Sequence, residues 1–232
     1  MSSERLIVER RGAGALVTLN RPEKRNVLPI ELRVLLADAL EALAIDPNVS
    51  AIGLTGAGSA FCAGMDVSQF GGDAKHKRQL ADTSIRAFAA LTRCPKPTIA
   101  LVNGPALAGG FALALLCDVR VAAPEARFGF PELGRSIPPS YAAAASALPP
   151  SVASDLCLTG RIIDAPEALS LGVVSRISGG DEALDEVANA PASATAEIKR
   201  RILRHRSGES LSDLLAGEEQ DLRSALIDDA AG

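Results

Sequence analysis

The chain has 232 residues, 47% of them hydrophobic, which is enough to bury one sizeable core, so one domain is the default. A formal net charge of −4 argues against a nucleic-acid partner held by bulk electrostatics. No apolar run reaches the roughly 18 residues of a membrane span, and Met1 to Arg5 carries no signal-peptide core, so neither a membrane nor an export role is expected.

In chain order, Leu6 to Arg10 and Ala15 to Leu19 read as strands around a Gly12-Ala13-Gly14 turn. From Ile30 to Ala44, apolar residues at Leu32, Leu35, Leu36, Ala39, Leu40 and Leu43 follow helical spacing, and Pro47 lies beyond the end. Ser50 to Thr55 is a buried strand that runs into a loop of small residues, Gly56 to Asp66. A helix follows, and then Pro97 to Val102 is again strand-like and again ends in small residues, Asn103 to Gly110. The apolar run Phe111 to Leu116 makes a helix begin at those glycines, and Val119 to Ala122 is a further strand. After about Tyr141 the pattern is mainly helical, with Ser151 as a candidate N-cap behind Pro149-Pro150. Tyr141, the only tyrosine, is expected either to border the pocket with its hydroxyl or to lie in the core, the core being slightly favoured. The alternation of strands and helices predicts an α/β chain with crossovers.

Both small-residue loops leave a strand, and the second opens a helix. Glycine permits close backbone approach, and a helix N-terminus presents free N–H groups and a partial positive charge. Two such loops can offer one N–H each to a developing negative oxygen. The other reading of Gly109-Gly110 is tight packing of a helix on a sheet.

The two loops, Phe61-Cys62-Ala63-Gly64-Met65-Asp66 and Asn103-Gly104-Pro105-Ala106-Leu107-Ala108-Gly109-Gly110, resemble the F-C-A-G-x-D and N-G-x-A-x-G-G-G segments of the crotonase superfamily, the enoyl-CoA hydratase/isomerase family. Three more blocks resemble it in family order: Leu19-Asn20-Arg21-Pro22 with Asn26, Phe128-Gly129-Phe130-Pro131-Glu132, and Leu158-Thr159-Gly160-Arg161 with Leu171-Gly172-Val173-Val174. The resemblance implies a crotonase-like spiral of ββα turns with a helical C-terminal region. It places the spiral core in residues 1–190 and a shortened helical oligomerisation region of the same domain in 191–232, assembled as a homotrimer or a dimer of trimers. It implies that the N–H groups of Met65 and Gly109 hold the oxygen of an acyl-CoA thioester. Coenzyme A then enters as part of the substrate rather than as a prosthetic group, along Lys24, Arg25, Ala63 and Asp66. For Lys24 and Arg25 the alternative is solvated surface charge.

An oxyanion site needs a base. Family hydratases carry one glutamate a turn into the helix after the second loop and another in the P-E pair. This chain has Ala112 at the first position and Glu132 at the second. Hydration uses two carboxylates around a water, whereas a single base can move a proton from C2 to C4 of a 3-enoyl thioester. A Δ3-Δ2-enoyl-CoA isomerase is therefore favoured over an enoyl-CoA hydratase, with a noncatalytic acyl-CoA-binding protein as a further alternative. Phe128 and Phe130 suggest an apolar setting that raises the Glu132 pKa. Gly12-x-Gly14 and Gly56-x-Gly58 lack the rest of a dinucleotide fingerprint. Four cysteines and two histidines show no metal-ligand spacing, so no metal is expected, and a reduced, cytoplasmic protein is the simple reading. The basic run Lys199 to Arg206 is expected to be a solvated face or a contact for CoA phosphate.

Overall fold

The computed structural model describes residues 4–228. β1 (Leu6–Arg11) and β2 (Gly14–Leu19) form an antiparallel hairpin. From β2 onward the sheet is parallel: β3 (Ala51–Gly56) pairs with β2, β4 (Thr98–Val102) with β3, β6 (Val119–Ala122) with β4, and β9 (Arg176–Ile177) with β6. α1 (Ile30–Ile45), α2 (Ala74–Thr92) and α3 (Gly109–Leu116) make the crossovers to β3, β4 and β6. A second, small sheet has the order β5 (Ala106–Leu107), β7 (Arg127–Gly129), β8 (Ile162–Asp164). An isolated parallel bridge from Cys62 to Ala106 extends that sheet by one position. Each turn of the chain thus gives a long strand to the large sheet, a short one to the small sheet, and then a helix, which is the expected ββα spiral.

Side-chain alternation along the strands builds two layers. Ala100 and Val102 of β4, with Val17 and Ile52, face the main core, into which α1 and α3 pack. Ile99 and Leu101, with Leu16 and Val121, face the opposite side, where Ala183, Leu184 and Ala188 cover them. Leu184 and its neighbours belong to α7 (Asp181–Ala188). α3 is buried almost all round, as its uniformly apolar sequence requires.

The C-terminal third is helical: α4 (Tyr141–Ala145), α5 (Pro150–Thr159), α6 (Ala165–Ser170), α7, α8 (Ala192–Arg206) and α9 (Leu211–Asp228). α5 starts at Pro150 rather than at a Ser151 cap, because proline's fixed φ suits the first helical position. Tyr141 is 52% exposed at the start of α4 and not in the core, because it follows the surface Pro138-Pro139 segment and opens a short helix whose buried residues are Ala143 and Ala144. The basic run on α8 is partly internal. Lys199, with a side chain only 1% exposed, donates to Asp118 Oδ2 at 2.6 Å, and Arg206 donates to Oδ1 at 2.9 Å. Asp118 Oδ2 also accepts from the Thr98 N–H at 2.8 Å and the Thr98 hydroxyl at 3.0 Å. This carboxylate bolts α8 to the foot of β4 and β6, and Arg200 and Arg201 pair with Glu197. Leu211 and Leu215 of α9 are exposed. The side chains of Leu222 and Leu226, which complete an apolar spacing along that helix, lie outside the described residues. No helix among the described residues is long and apolar enough to cross a membrane.

Candidate active site

The two small-residue loops pair with each other. Cys62 N–H donates to Pro105 O at 3.1 Å, and Leu107 N–H donates to Cys62 O at 2.9 Å, so Cys62 and Ala106 sit in parallel register. Three residues on from that pair in each loop come Met65 and Gly109. Equal offsets from a parallel pair put the two nitrogens side by side: a Cβ built on Gly109 would lie 3.8 Å from Met65 N, and one on Gly64 would lie 3.3 Å from Gly109 N. Each donor follows a residue of positive φ, Gly64 at +100° and Ala108 at +53°, the latter a strained backbone for a residue with a Cβ. Among the described residues, neither N–H has a hydrogen-bond acceptor. Adjacent N–H groups with no acceptor of their own, one at a helix start, are what a developing negative oxygen needs.

The first loop is clamped from both sides. Leu28 N–H donates to Gly64 O at 2.9 Å, and Leu28 bridges Met65. Asn26, buried and at φ +55°, donates from Nδ2 to Ala57 O at 2.9 Å and Ala60 O at 2.7 Å. Asn103 donates to Gly56 O and Gly58 O at 2.8 and 2.9 Å. Asn26 and Asn103, from two of the recognised sequence blocks, are therefore loop clamps.

A cavity of about 350 Å³ opens beside the two nitrogens. Its wall includes Arg25, Ala63, Met65, Gly109, Ala112 and Glu132, with Phe70, Phe88 and Ile137 supplying apolar surface. Among the described residues, Glu132 is the only carboxylate on that wall. It lies in a short 3-10 helix, Pro131–Arg135, directly after Phe130, whose ring packs 4.9 Å from that of Phe111 at the start of α3. Its Oε2 is buried without a hydrogen-bond partner. Desolvation pushes the carboxyl pKa above its ordinary value, partly opposed by a backbone hydrogen bond. Ser136, at φ +59°, ends this turn in the left-handed conformation, which glycine adopts more readily than serine. Ala112 presents only a methyl group.

Of the residues expected to bind the nucleotide part of a thioester, Arg25 and Ala63 line the cavity. Lys24 is exposed in the Pro22–Lys24 turn beyond the wall. Asp66 does not line the cavity either. Its carboxylate accepts from Arg21 at 3.1 Å and from the Ser68 N–H and hydroxyl, and these bonds, that to the Ser68 hydroxyl first, hold its pKa below the usual carboxylate value. Sequence reasoning did not find Phe88 and Phe70. Both come from the stretch between the loops and carry no motif, and only the packing of α2 against α1 and α3 brings Phe88 in.

The family model described as enoyl-CoA hydratase/isomerase matches residues 9–213. An enoyl-CoA hydratase of Mycobacterium tuberculosis is 38% identical over 185 residues, 77% of this chain and 70% of that protein. The 2,3-dehydroadipyl-CoA hydratase of Escherichia coli K12 is 39% identical over 183 residues, 78% of this chain and 71% of that one. Among solved structures, an enoyl-CoA hydratase from Bacillus anthracis superposes with a TM-score of 0.87 at 28% identity, covering 96% of this chain and 91% of that one.

Proposed function

Because the chain belongs to the enoyl-CoA hydratase/isomerase family, we propose that it is an acyl-CoA enzyme of the single-carboxylate type, a Δ3-Δ2-enoyl-CoA isomerase. The observation that carries this reading is the cavity wall: one carboxylate, Glu132, and a methyl group at Ala112. The Glu132 carboxylate takes a proton from C2 of a 3-enoyl thioester. The electron pair moves into the C1–C2 bond, and the thioester oxygen becomes negative between the N–H groups of Met65 and Gly109. Return of the proton from Glu132 to C4 moves the double bond to C2–C3, with no water consumed. The oxyanion donors stabilise the dienolate more than the starting carbonyl, which lowers the barrier. A raised pKa makes the Glu132 carboxylate a stronger base for removing the C2 proton and narrows its gap to the pKa of the carbon acid.

Arg25 at the cavity rim, with Lys24 beyond it, supports entry of the CoA phosphates from that side. α8 and α9, with Leu211 and Leu215 exposed, form the surface through which a homotrimer or a dimer of trimers would assemble. The names of the relatives favour a second reading, enoyl-CoA hydratase. Both substrates offered to one preparation decide between them. The proposal expects 3-enoyl-CoA isomerisation to exceed 2-enoyl-CoA hydration, and faster hydration would establish the second reading.

A further inference from the structure

The core between α1 and α2 contains a whole guanidinium. Arg33 is 1% exposed. Its Nε donates to Leu28 O at 2.9 Å, and its Nη1 donates to Leu80 O at 2.9 Å and to Ser84 Oγ at 3.0 Å. Nη2 has no partner, and no carboxylate among the described residues lies within salt-bridge distance. Burial lowers its pKa from the ordinary arginine value, with Asp66 the largest opposing influence. A buried, unpaired cation is costly, and an apolar side chain would fill the space more cheaply.

The bonds it makes indicate what offsets that cost. Leu28, whose carbonyl receives Arg33 Nε, is the residue that pairs with the first loop: its N–H donates to Gly64 O at 2.9 Å and its carbonyl accepts from Asp66 N–H at 3.4 Å. Those two bonds flank Met65. On the other side, Leu80, Ser84 and Phe88 are spaced by four residues along α2 and share one helix face. The face that Arg33 grips therefore also carries Phe88, an apolar wall of the cavity.

We infer that Arg33 is a positioning residue of the oxyanion site, fixing the Leu28–Met65 pairing that aims the Met65 N–H and docking the Phe88 face of α2 against it. Its side chain is not part of the cavity wall. This inference rests on the reading of Met65 and Gly109 as donors to a thioester oxygen.

The test uses the full chain and acetoacetyl-CoA, whose enolate absorbs in the near ultraviolet once a proton has left C2 for the buffer. The enolate fraction of the bound ligand measures oxyanion stabilisation without turnover. Butanoyl-CoA, bound as a neutral thioester, reports ground-state affinity. Arg33→Met should cut the bound enolate-to-keto ratio by about tenfold or more, as expected for a donor displaced by a fraction of an ångström, while butanoyl-CoA affinity changes far less. Arg33→Lys, which keeps the charge and a single donor head, should recover part of the ratio. Leu184→Ala, on the opposite face of the sheet, should destabilise the protein yet leave the ratio unchanged. An Arg33→Met ratio equal to wild type, or an equal loss in Leu184→Ala, overturns the inference. A wild-type protein that binds acetoacetyl-CoA without forming its enolate overturns the donor reading itself, and the inference with it.

Discussion

Gly109 and Gly110 are neighbours in one Gly-Gly pair, yet a methyl group should have opposite effects at the two positions. A Cβ on Gly110 would fall 2.1 Å from Cys62 O and 2.8 Å from Cys62 Cβ. Restoring ordinary contact requires the two loop backbones to part by roughly 1 Å. That opens the pairing of Cys62 with Ala106 from which both donors are measured off. A Cβ on Gly109 would have its nearest neighbour, Met65 Cγ, at 3.6 Å, which is ordinary contact. Gly110→Ala should therefore cost about 1–3 kcal/mol from overpacking and about 10²-fold in turnover from misplacement of the donors. Gly109→Ala should be neutral or stabilising by up to about 1 kcal/mol, because alanine loses less backbone entropy on folding. Urea unfolding of both variants beside wild type, with the m-value checked for constancy, measures the stability difference. Equal stability for the two variants would refute the claim that the loops are in contact at Gly110, and with it the geometry proposed for the donors.

Further outcomes are expected elsewhere. The folded-state pKa of Glu132 is raised by desolvation above its ordinary 4.5, so protonated Glu132 favours the fold at low pH and that contribution is lost as pH rises through the raised value. Glu132→Gln should thus be more stable than wild type at about pH 8, with a gap that closes towards about pH 4, and a gap independent of pH would contradict the burial argument. Asp118→Ala leaves Lys199 buried without its carboxylate and should cost about 3–5 kcal/mol, with amide exchange rising first in α8; a loss under about 1 kcal/mol would show that α8 is held by other contacts. Ala112→Glu restores a second carboxylate to the cavity and should raise the ratio of hydration to isomerisation by about tenfold or more if Phe111 and its neighbours leave room, as measured on the two substrates in parallel.

The parts of the site that depend on the backbone were legible in the sequence. Close approach of two backbone segments demands residues without side chains, so Gly64 and Gly110 announce the loops, and the strands before them show as largely apolar runs. The strand bounds agree to within a residue or so: Ser50 to Thr55 was expected against Ala51–Gly56 observed, and Val119 to Ala122 is the same in both. Glu132 stands out in the sequence through the family resemblance of its Pro131-Glu132 pair, and burial of its carboxyl among apolar residues pushes its pKa up, as the flanking phenylalanines suggest. Interactions that join distant stretches left no local trace. Arg33 reads as an ordinary helix residue, because its partners Leu80 and Ser84 lie 47 and 51 positions away. Lys199 and Arg206 read as a solvated basic run because Asp118, 81 and 88 positions away, does not reveal itself as their partner. Asp66 reads as a ligand residue until Arg21 is seen to hold it.

The most direct test of the account is the isomerisation of 3-enoyl-CoA by Glu132→Gln, with acyl-CoA affinity measured on the same protein by calorimetry. Gln keeps the shape of the side chain and removes the proton carrier. The account predicts a fall in kcat of about 10²–10⁴-fold, with affinity close to that of wild type. Full activity in the variant, or a wild-type protein that binds acyl-CoA and turns over neither enoyl isomer, would contradict it.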